Sequence, residues 1–376
     1  MKNNIYMDHA ATTYIKKDVL DAMIPYLTQY YANPSAIYNM SNTLKIAIDE
    51  AKEEIADFIG GEPEEIFFTS GGTEGDNWAI KGVAYGNESK GRHIITSSIE
   101  HPAVLNSCKY LEQKGFEITF LPVDKIGRID LKKLEESIRK DTILVSIMTA
   151  NNEIGTIQDI KSIGEICRSH KVLFHTDAVQ ALGQTHINVR EMNIDLMTMA
   201  AHKIYGPKGI GALYIKKGTK IDNLLHGGSQ ERGKRAGTEN LAAIVGFQKA
   251  ISLLKENGEE ENKRIEKLRD KFIKGLLQIE GTKINGALGD DRLKGNINVS
   301  FKNIDGDLLL MLLDNEGICA SAGSACSAGA AYASHVLLAL GLDKKLSKKT
   351  IRFTLGAKNT EEEIEFVLKK LKKILN

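Results

Sequence analysis

The sequence predicts an α/β protein: a large domain with a mostly parallel central sheet covered by helices on both faces, plus a smaller α+β domain. Three observations carry this. Between about residues 60 and 215, the runs "EIFFTS", "HIITSS", "EITFLPV", "TILVSIM" and "KVLFHTD" are short and rich in Ile, Val, Phe and Thr, the signature of strands. Between them lie "TEGDNWAIKGVAYG", "HPAVLNSCKYLEQKG", "DLKKLEESIRK" and "DIKSIGEICRSHK", whose apolar positions recur at helical spacing. Alternation of this kind favours parallel strands joined by crossover helices. Finally, 376 residues exceed what one small core organises, so one large and one smaller unit are expected.

The remaining elements follow in order. "DLMTMAAHKIYGPKGIGALYIKKG" reads as two strands joined through a Gly/Pro turn. A long helix from about Thr238 and a second, charged one, "EEENKRIEKLRDKFIKGLLQI", form a bridge. Beyond it come "NINVSF", the helix "DGDLLLMLLDNEG", a small-residue stretch, "HVLLALG", "IRFTLG" and a final helix "TEEEIEFVLKKLKKILN". The expected division is a segment 1–15 packing with the small domain, a large domain 16–264 and a small domain 265–376. The charged helix faces are read as ordinary solvated surface, and no internal repeat is found.

Composition excludes several classes. With 50 Lys+Arg against 49 Asp+Glu, no bulk field points to nucleic acid or an acidic lipid surface. "TILVSIM" and "HVLLALGL" fall far short of the roughly 20 apolar residues of a membrane span. "MKNNIYMDHAATT" lacks the apolar core and cleavage pattern of a secretory signal. Four scattered cysteines form no C-x-x-C pair, which argues against disulfide frameworks and zinc ribbons. A reduced, soluble, cytoplasmic protein without a resident metal is expected. Cys108 and Cys167 fall on helical patterns and Cys319 on a strand pattern, so all three read as packing residues.

Five local patterns carry chemistry. In "FFTSGGTEGDN" a strand ends, Gly71 and Gly72 permit a tight turn, and Thr73 begins a helix. Such a turn is either an anion site built from helix-start N–H groups and the Thr73 hydroxyl, or a plain turn with Thr73 as cap. "GGSQERGKRAGTEN" joins small residues to Arg232, Lys234 and Arg235, which suits a phosphate or carboxylate but equally a flexible solvent loop. Asp177 ends the strand in "KVLFHTDAVQ"; it is a turn residue or a carboxylate facing the crevice at a sheet's carboxyl edge. Lys203 in "MAAHKIYG" sits between apolar neighbours, where a partly desolvated amine can form a Schiff base. His101 in "SSIEHPAVL" lies just past a strand, either as a helix-start residue or at the same sheet edge.

The stretch "ASAGSACSAGAAYAS", 320–334, surrounds Cys326 with Ala, Ser and Gly, Tyr332 excepted. It can bury little apolar surface and is expected to be a mobile loop, so either Cys326 is incidental or its chemistry requires movement. Taken together, two anion-binding turns, a strand-end Asp, a half-buried Lys and a strand-end His are the parts a pyridoxal 5'-phosphate site needs. The phosphate requires donors, the ring nitrogen an acid, the aldehyde an amine and the ring a flat partner.

These motifs, with "YMDHAATT", "VSIMTANNEIGTIQDI", "HTDAVQALG", "AAHKIYGPKGIGALY", "HGGSQERGKRAGT", "SAGSACSAG" and "IRFTLG", resemble the cysteine desulfurases of the NifS/IscS-like branch. Those are class V pyridoxal-phosphate enzymes of fold type I, the aspartate aminotransferase-like fold. The resemblance implies that Lys203 holds the cofactor, Asp177 pairs with its ring nitrogen, Gln180 meets the ring hydroxyl and His101 stacks on the ring. It implies phosphate contacts from Gly72, Thr73 and His202, with Thr238 supplied by the partner of a homodimer. Asn152 would lie against cofactor and substrate, and Arg352 would take the carboxylate of L-cysteine. Cys326 would be the nucleophile, becoming a persulfide that passes sulfur to an iron–sulfur scaffold or a thiolation enzyme, with a transient iron–sulfur ligand role. Ala200 stands where many relatives have a serine that touches the phosphate. The chain ends soon after "VLKKLKKILN", where housekeeping relatives carry a longer tail that docks the scaffold. Other implied readings are a selenocysteine lyase, a class V aminotransferase, or a non-catalytic sulfur-carrier platform.

Overall fold

The strand runs between residues 60 and 215 all form, and they place their carboxyl ends along one edge of a single sheet. The computed structural model describes residues 4–322 and 333–375, so Cys326 and most of the small-residue stretch lie outside the described residues. A short strand β1 (Ile5–Tyr6) opens the chain, followed by α1 (Lys17–Thr28) and α2 (Asn39–Ile59). The sheet comprises β2 (Ile66–Thr69), β3 (His93–Ser97), β4 (Glu117–Leu121), β5 (Thr142–Ser146), β6 (Leu173–Asp177), β7 (Leu196–Ala200) and β8 (Gly211–Ile215). Its order is β2-β8-β7-β6-β5-β3-β4, and β8 alone runs against the rest. Strands β2, β3, β5, β7 and β8 are buried along their whole length. Helices on both faces produce that, and it is why these strands read as continuous apolar runs.

The crossovers are helical. A segment of α3 (Gly72–Asn77), one π turn at Trp78–Gly82 and α4 (Val83–Gly86) follows β2. Then come α5 (Pro102–Glu112), α6 (Leu131–Ser137) and α7 (Ile160–Ser169). Helices α1 and α2 precede the alternating region; α2 buries Leu44, Ala47, Ile48, Ala51, Ile55 and Ile59 at helical spacing and stops at Gly60, φ 70°.

The bridge is one helix rather than two. Helix α8 (Leu241–Leu276) runs 36 residues, through Gly258, without a break. Its first part, Leu241 to Ile251, joins the main core; its last part, Ile265 to Leu276, joins a second core with Met7, Ile297, Val299, Leu313 and Phe353. Packing at both ends outweighs the roughly 1 kcal/mol helix penalty of one glycine. It starts after Thr238 rather than at it: Asn240 is the cap, its side chain accepting from the Ala243 N–H.

Around the second core lie β9 (Thr282–Ile284), β10 (Asn296–Phe301), α9 (Gly306–Asn315), β11 (Ile318–Cys319), α10 (His335–Ala339), α11 (Lys344–Ser347), β12 (Thr350–Thr354) and α12 (Glu361–Leu375). Strands β12, β10 and β9 form an antiparallel sheet, and β1 pairs parallel to β11. The N-terminal segment is thereby laced to this unit, while Ala10 and Ala11 continue to the carboxyl edge of the large sheet. Cys108 and Cys167 are buried, and Cys319 is half-buried. Among the described residues, no helix is long and apolar enough to cross a membrane.

Candidate active site

Ends of β2, β3, β5, β6 and β7 surround a cavity of about 450 Å³ lined by Gly72, Thr73, Asp76, His101, Asn152, Glu153, Asp177, Gln180, His202, Lys203, His335 and Arg352. Asp177 closes β6 itself, and β2, β3, β5 and β7 deliver their residues in the segments that follow, where a parallel sheet opens its crevice. The β2 turn rests on a close approach: a Cβ at Gly211 in β8 would lie 2.8 Å from the Gly71 Cα. Gly71 itself has φ 150°. The first-turn N–H groups of Gly72 and Thr73 have no intrahelical acceptor and border the cavity.

Lys203 follows β7 in a short 3₁₀ turn, and its amine donates to the carbonyls of Ala10 and Ala11. The Ala10 carbonyl also accepts from Gln180 Nε2 at 2.9 Å, so amine and amide converge on one oxygen. His202 Nδ1 lies 3.2 Å from the Thr12 hydroxyl, and burial pushes that imidazole down to about 4. His101 caps α5: its Nδ1 accepts the Ala103 N–H at 3.1 Å. That bond places the proton of the neutral ring on Nε2. Burial lowers the His101 pKa, which Asp177 opposes, so the ring is a neutral, flat group.

Asp177 is buried, and its Oδ1 accepts the Val179 N–H at 2.9 Å. Burial raises its pKa, against the pull of His101 and Lys203, and a further cation placed beside it would favour the charged carboxylate. Beneath it, two residues back on β6, His175 contacts Ser146 Oγ at 2.8 Å and Thr198 Oγ1 at 3.0 Å; burial holds it neutral, at about 3. Two buried acids adjoin this floor. Asp76 keeps Oδ1 without a hydrogen-bond partner among the described residues. Glu100 accepts from Ser97 Oγ at 2.6 Å and from the Met148 N–H, and burial pushes it up to about 8.

On the opposite wall, Arg352 of β12 donates through Nη2 to Asp8 Oδ1 at 2.7 Å and through Nη1 to the Asn152 carbonyl at 3.1 Å. Both described ends of the small-residue stretch meet this wall. Ser321 pairs with Arg352 through backbone bonds. Ser334 caps α10 and donates to Glu153 Oε2 at 2.5 Å, while His335 Nε2 donates to the Glu100 carbonyl at 3.0 Å.

Thr238 does not line this cavity; it borders another with Ser70, Gly209 and Arg235. Two basic side chains of its loop, Arg232 and Arg235, are engaged by protein groups rather than arranged for an anion. Arg235 forms a two-bond pair with Glu74, at 2.8 and 3.0 Å, and Arg232 Nη2 donates to the carbonyls of Glu64 and Ile66. Local sequence patterns missed Asp8, Asp76, Glu100, Glu153 and His335. Adjacency of Glu100 to His101, and of Asp76 to the glycine turn, is the only signal that could have drawn attention to them.

A mostly parallel sheet with a lysine, a buried aspartate and a glycine turn around one carboxyl-edge cavity defines an α/β enzyme of the aspartate aminotransferase-like fold class. Within that class the chain belongs to the aminotransferase class-V family, whose pattern matches residues 5–367. It is 52% identical over 377 residues to the cysteine desulfurase IscS of Clostridium botulinum, covering 100% of this chain and 95% of that one. A solved NifS-like protein matches with TM-score 0.93 and 41% identity, over 99% of each chain. A structure of SspA in complex with cysteine matches with TM-score 0.85 and 37% identity, over 95% of this chain and 100% of that one.

Proposed function

We propose that this protein is a cysteine desulfurase that uses pyridoxal phosphate to take sulfur from L-cysteine and release L-alanine. The observation that carries the reading is the convergence of Lys203, Asp177, Gln180, His101 and the Gly72–Thr73 turn on one cavity. That donor set fits the cofactor: an amine for its aldehyde, a buried carboxylate for its ring nitrogen, a neutral ring for its face and helix-start N–H groups for its phosphate. His202 adds a phosphate contact, and Gln180 one to the ring hydroxyl. Bound there, the group supplies an electron sink for bonds at the substrate α-carbon.

The chain's own residues do the rest. Arg352 takes the substrate carboxylate, and Asn152, whose carbonyl already orients that guanidinium, flanks it. Lys203, whose amine borders the cavity, would move the α-proton. Cys326 thiolate attacks the substrate sulfur: a sulfur–sulfur bond forms, the Cβ–S bond breaks, and a proton completes the alanine methyl group. The persulfide is then passed to an acceptor protein, an iron–sulfur scaffold or a thiolation enzyme. Supporting this role for Cys326, Ser321 and Ser334 on either side of it are bonded to cavity residues.

The protein also acts as a homodimer in this reading, since Thr238 lies away from its own chain's cavity and would complete a partner's. Sedimentation showing a fully active monomer would remove that part. For the chemistry, the test is mass analysis after incubation with cysteine. Residue 326 should gain one sulfur atom, Cys326→Ala should stop alanine release, and Lys203→Ala should abolish the cofactor's bound absorbance. Alanine release that survives Cys326→Ala would overturn the persulfide step.

A further inference from the structure

Arg352 is 1% exposed and enters the cavity from β12, yet its partner is an acid at the other end of the sequence. Asp8 Oδ1 sits 2.7 Å from Nη2, and the two residues are 344 positions apart. The Asp8 backbone is fixed: it bridges Thr354, while the Thr354 N–H donates to the Met7 carbonyl at 2.8 Å and Thr354 Oγ1 accepts the Ala10 N–H at 2.9 Å. Its side chain keeps 19% exposure, so water can reach the carboxylate.

A buried guanidinium without a counter-charge is costly, and Asp8 offsets part of that cost, alongside the nearby Glu153 carboxyl, when no substrate is present. A substrate carboxylate binds best to two parallel N–H groups of one fork. Here both terminal nitrogens already donate, Nη2 to Asp8 and Nη1 to the Asn152 carbonyl. Binding therefore exchanges one carboxylate for another instead of adding one. The carboxylate that can leave is Asp8, because a side-chain rotation on a fixed backbone carries it towards solvent, whereas the Asn152 acceptor is main chain.

We propose that Asp8 is a resident stand-in for the substrate carboxylate on Arg352, and that its displacement sets substrate affinity by competition. This rests on the reading that Arg352 receives that carboxylate. Asp8→Asn keeps the shape and one acceptor but removes the competing charge. In the holoenzyme dimer, KM for L-cysteine should then fall about fivefold with kcat unchanged, the size of one partly exposed ion pair. Binding of L-alanine, followed by the cofactor's absorbance, should tighten equally, while that of L-alaninamide, which lacks the carboxylate, should not change. A KM that rises or stays constant overturns the competition and leaves Asp8 as an orienting residue. Should Asp8→Asn fold poorly by its urea midpoint, Asp8→Ser is read by the same criteria. Arg352→Lys separates the premise: if it leaves KM for L-cysteine and alanine binding untouched, the carboxylate reading of Arg352 itself fails.

Discussion

The amine of Lys203 donates to the backbone carbonyl of Ala11 at 2.8 Å, tying the turn after β7 to a segment 192 residues earlier. Lys203 and Gln180 share the Ala10 carbonyl, so the N-terminal segment fixes two groups of the cavity at once. What holds that segment in turn is Thr354, whose hydroxyl accepts the buried Ala10 N–H.

Replacing that hydroxyl by a methyl of similar size tests the arrangement. Thr354→Val leaves a buried N–H unpaired and should cost about 1–3 kcal/mol of stability. Reconstitution of the apoprotein with pyridoxal phosphate, followed by absorbance, should slow in the same variant.

A methyl group at Gly211 would meet the Met199 carbonyl at 2.5 Å and Gly71 Cα at 2.8 Å, both backbone atoms that cannot rotate away. Gly211→Ala should therefore push the glycine turn outward, at a cost of about 1–3 kcal/mol. Phosphate-dependent retention of the cofactor on dialysis should drop, whereas a substitution at Gly209, where a Cβ meets nothing, strains only its own backbone at φ 82°.

Ser334→Ala removes a helix cap worth about 1 kcal/mol and also the donor to Glu153 Oε2. Ser334 lies eight positions after Cys326 in the sequence. Sulfur transfer measured by single-turnover persulfide labelling should slow, while KM for cysteine stays close to the parent value, because Arg352 and Asn152 are untouched.

Glu100 supplies a pH signature. Its carboxyl is pushed from 4.5 to about 8 by burial, so the folded chain keeps a proton that the unfolded chain has released. The contribution is complete below 4.5 and is lost as pH rises through about 8. Stability of the parent should fall across that window by up to about 1.4 kcal/mol per pH unit from this group. Urea midpoints of Glu100→Gln should lack that component, so the variant should gain on the parent as pH rises from 6 to 9.

Much of the architecture was readable because it is local. Each sheet strand from β2 to β6 is a short β-branched or aromatic run; Asp177 ends its strand, and Gly72, His101 and Lys203 follow theirs within a few residues. A strand-end position on a parallel sheet implies a shared edge, so residues far apart in sequence become neighbours by topology alone. The sequence suggests two helices where α8 is one, because nothing local announces the two cores that hold it straight through Gly258. The charges of Arg232 and Arg235 looked available for an anion for the same reason: Glu64, Ile66 and Glu74 lie over 160 positions away.

Periodicity and turn chemistry, both properties of neighbouring residues, determined the sheet, its crossovers and the edge on which reactive groups would gather. Only the folded chain decided which acids lie buried beneath that edge, which carbonyls aim the Lys203 amine, and that Arg352 arrives already paired with Asp8. Desolvation and long-range ion pairing depend on what surrounds a group in space, and residue 8 meets residue 352 only once the N-terminal segment is laced against β12.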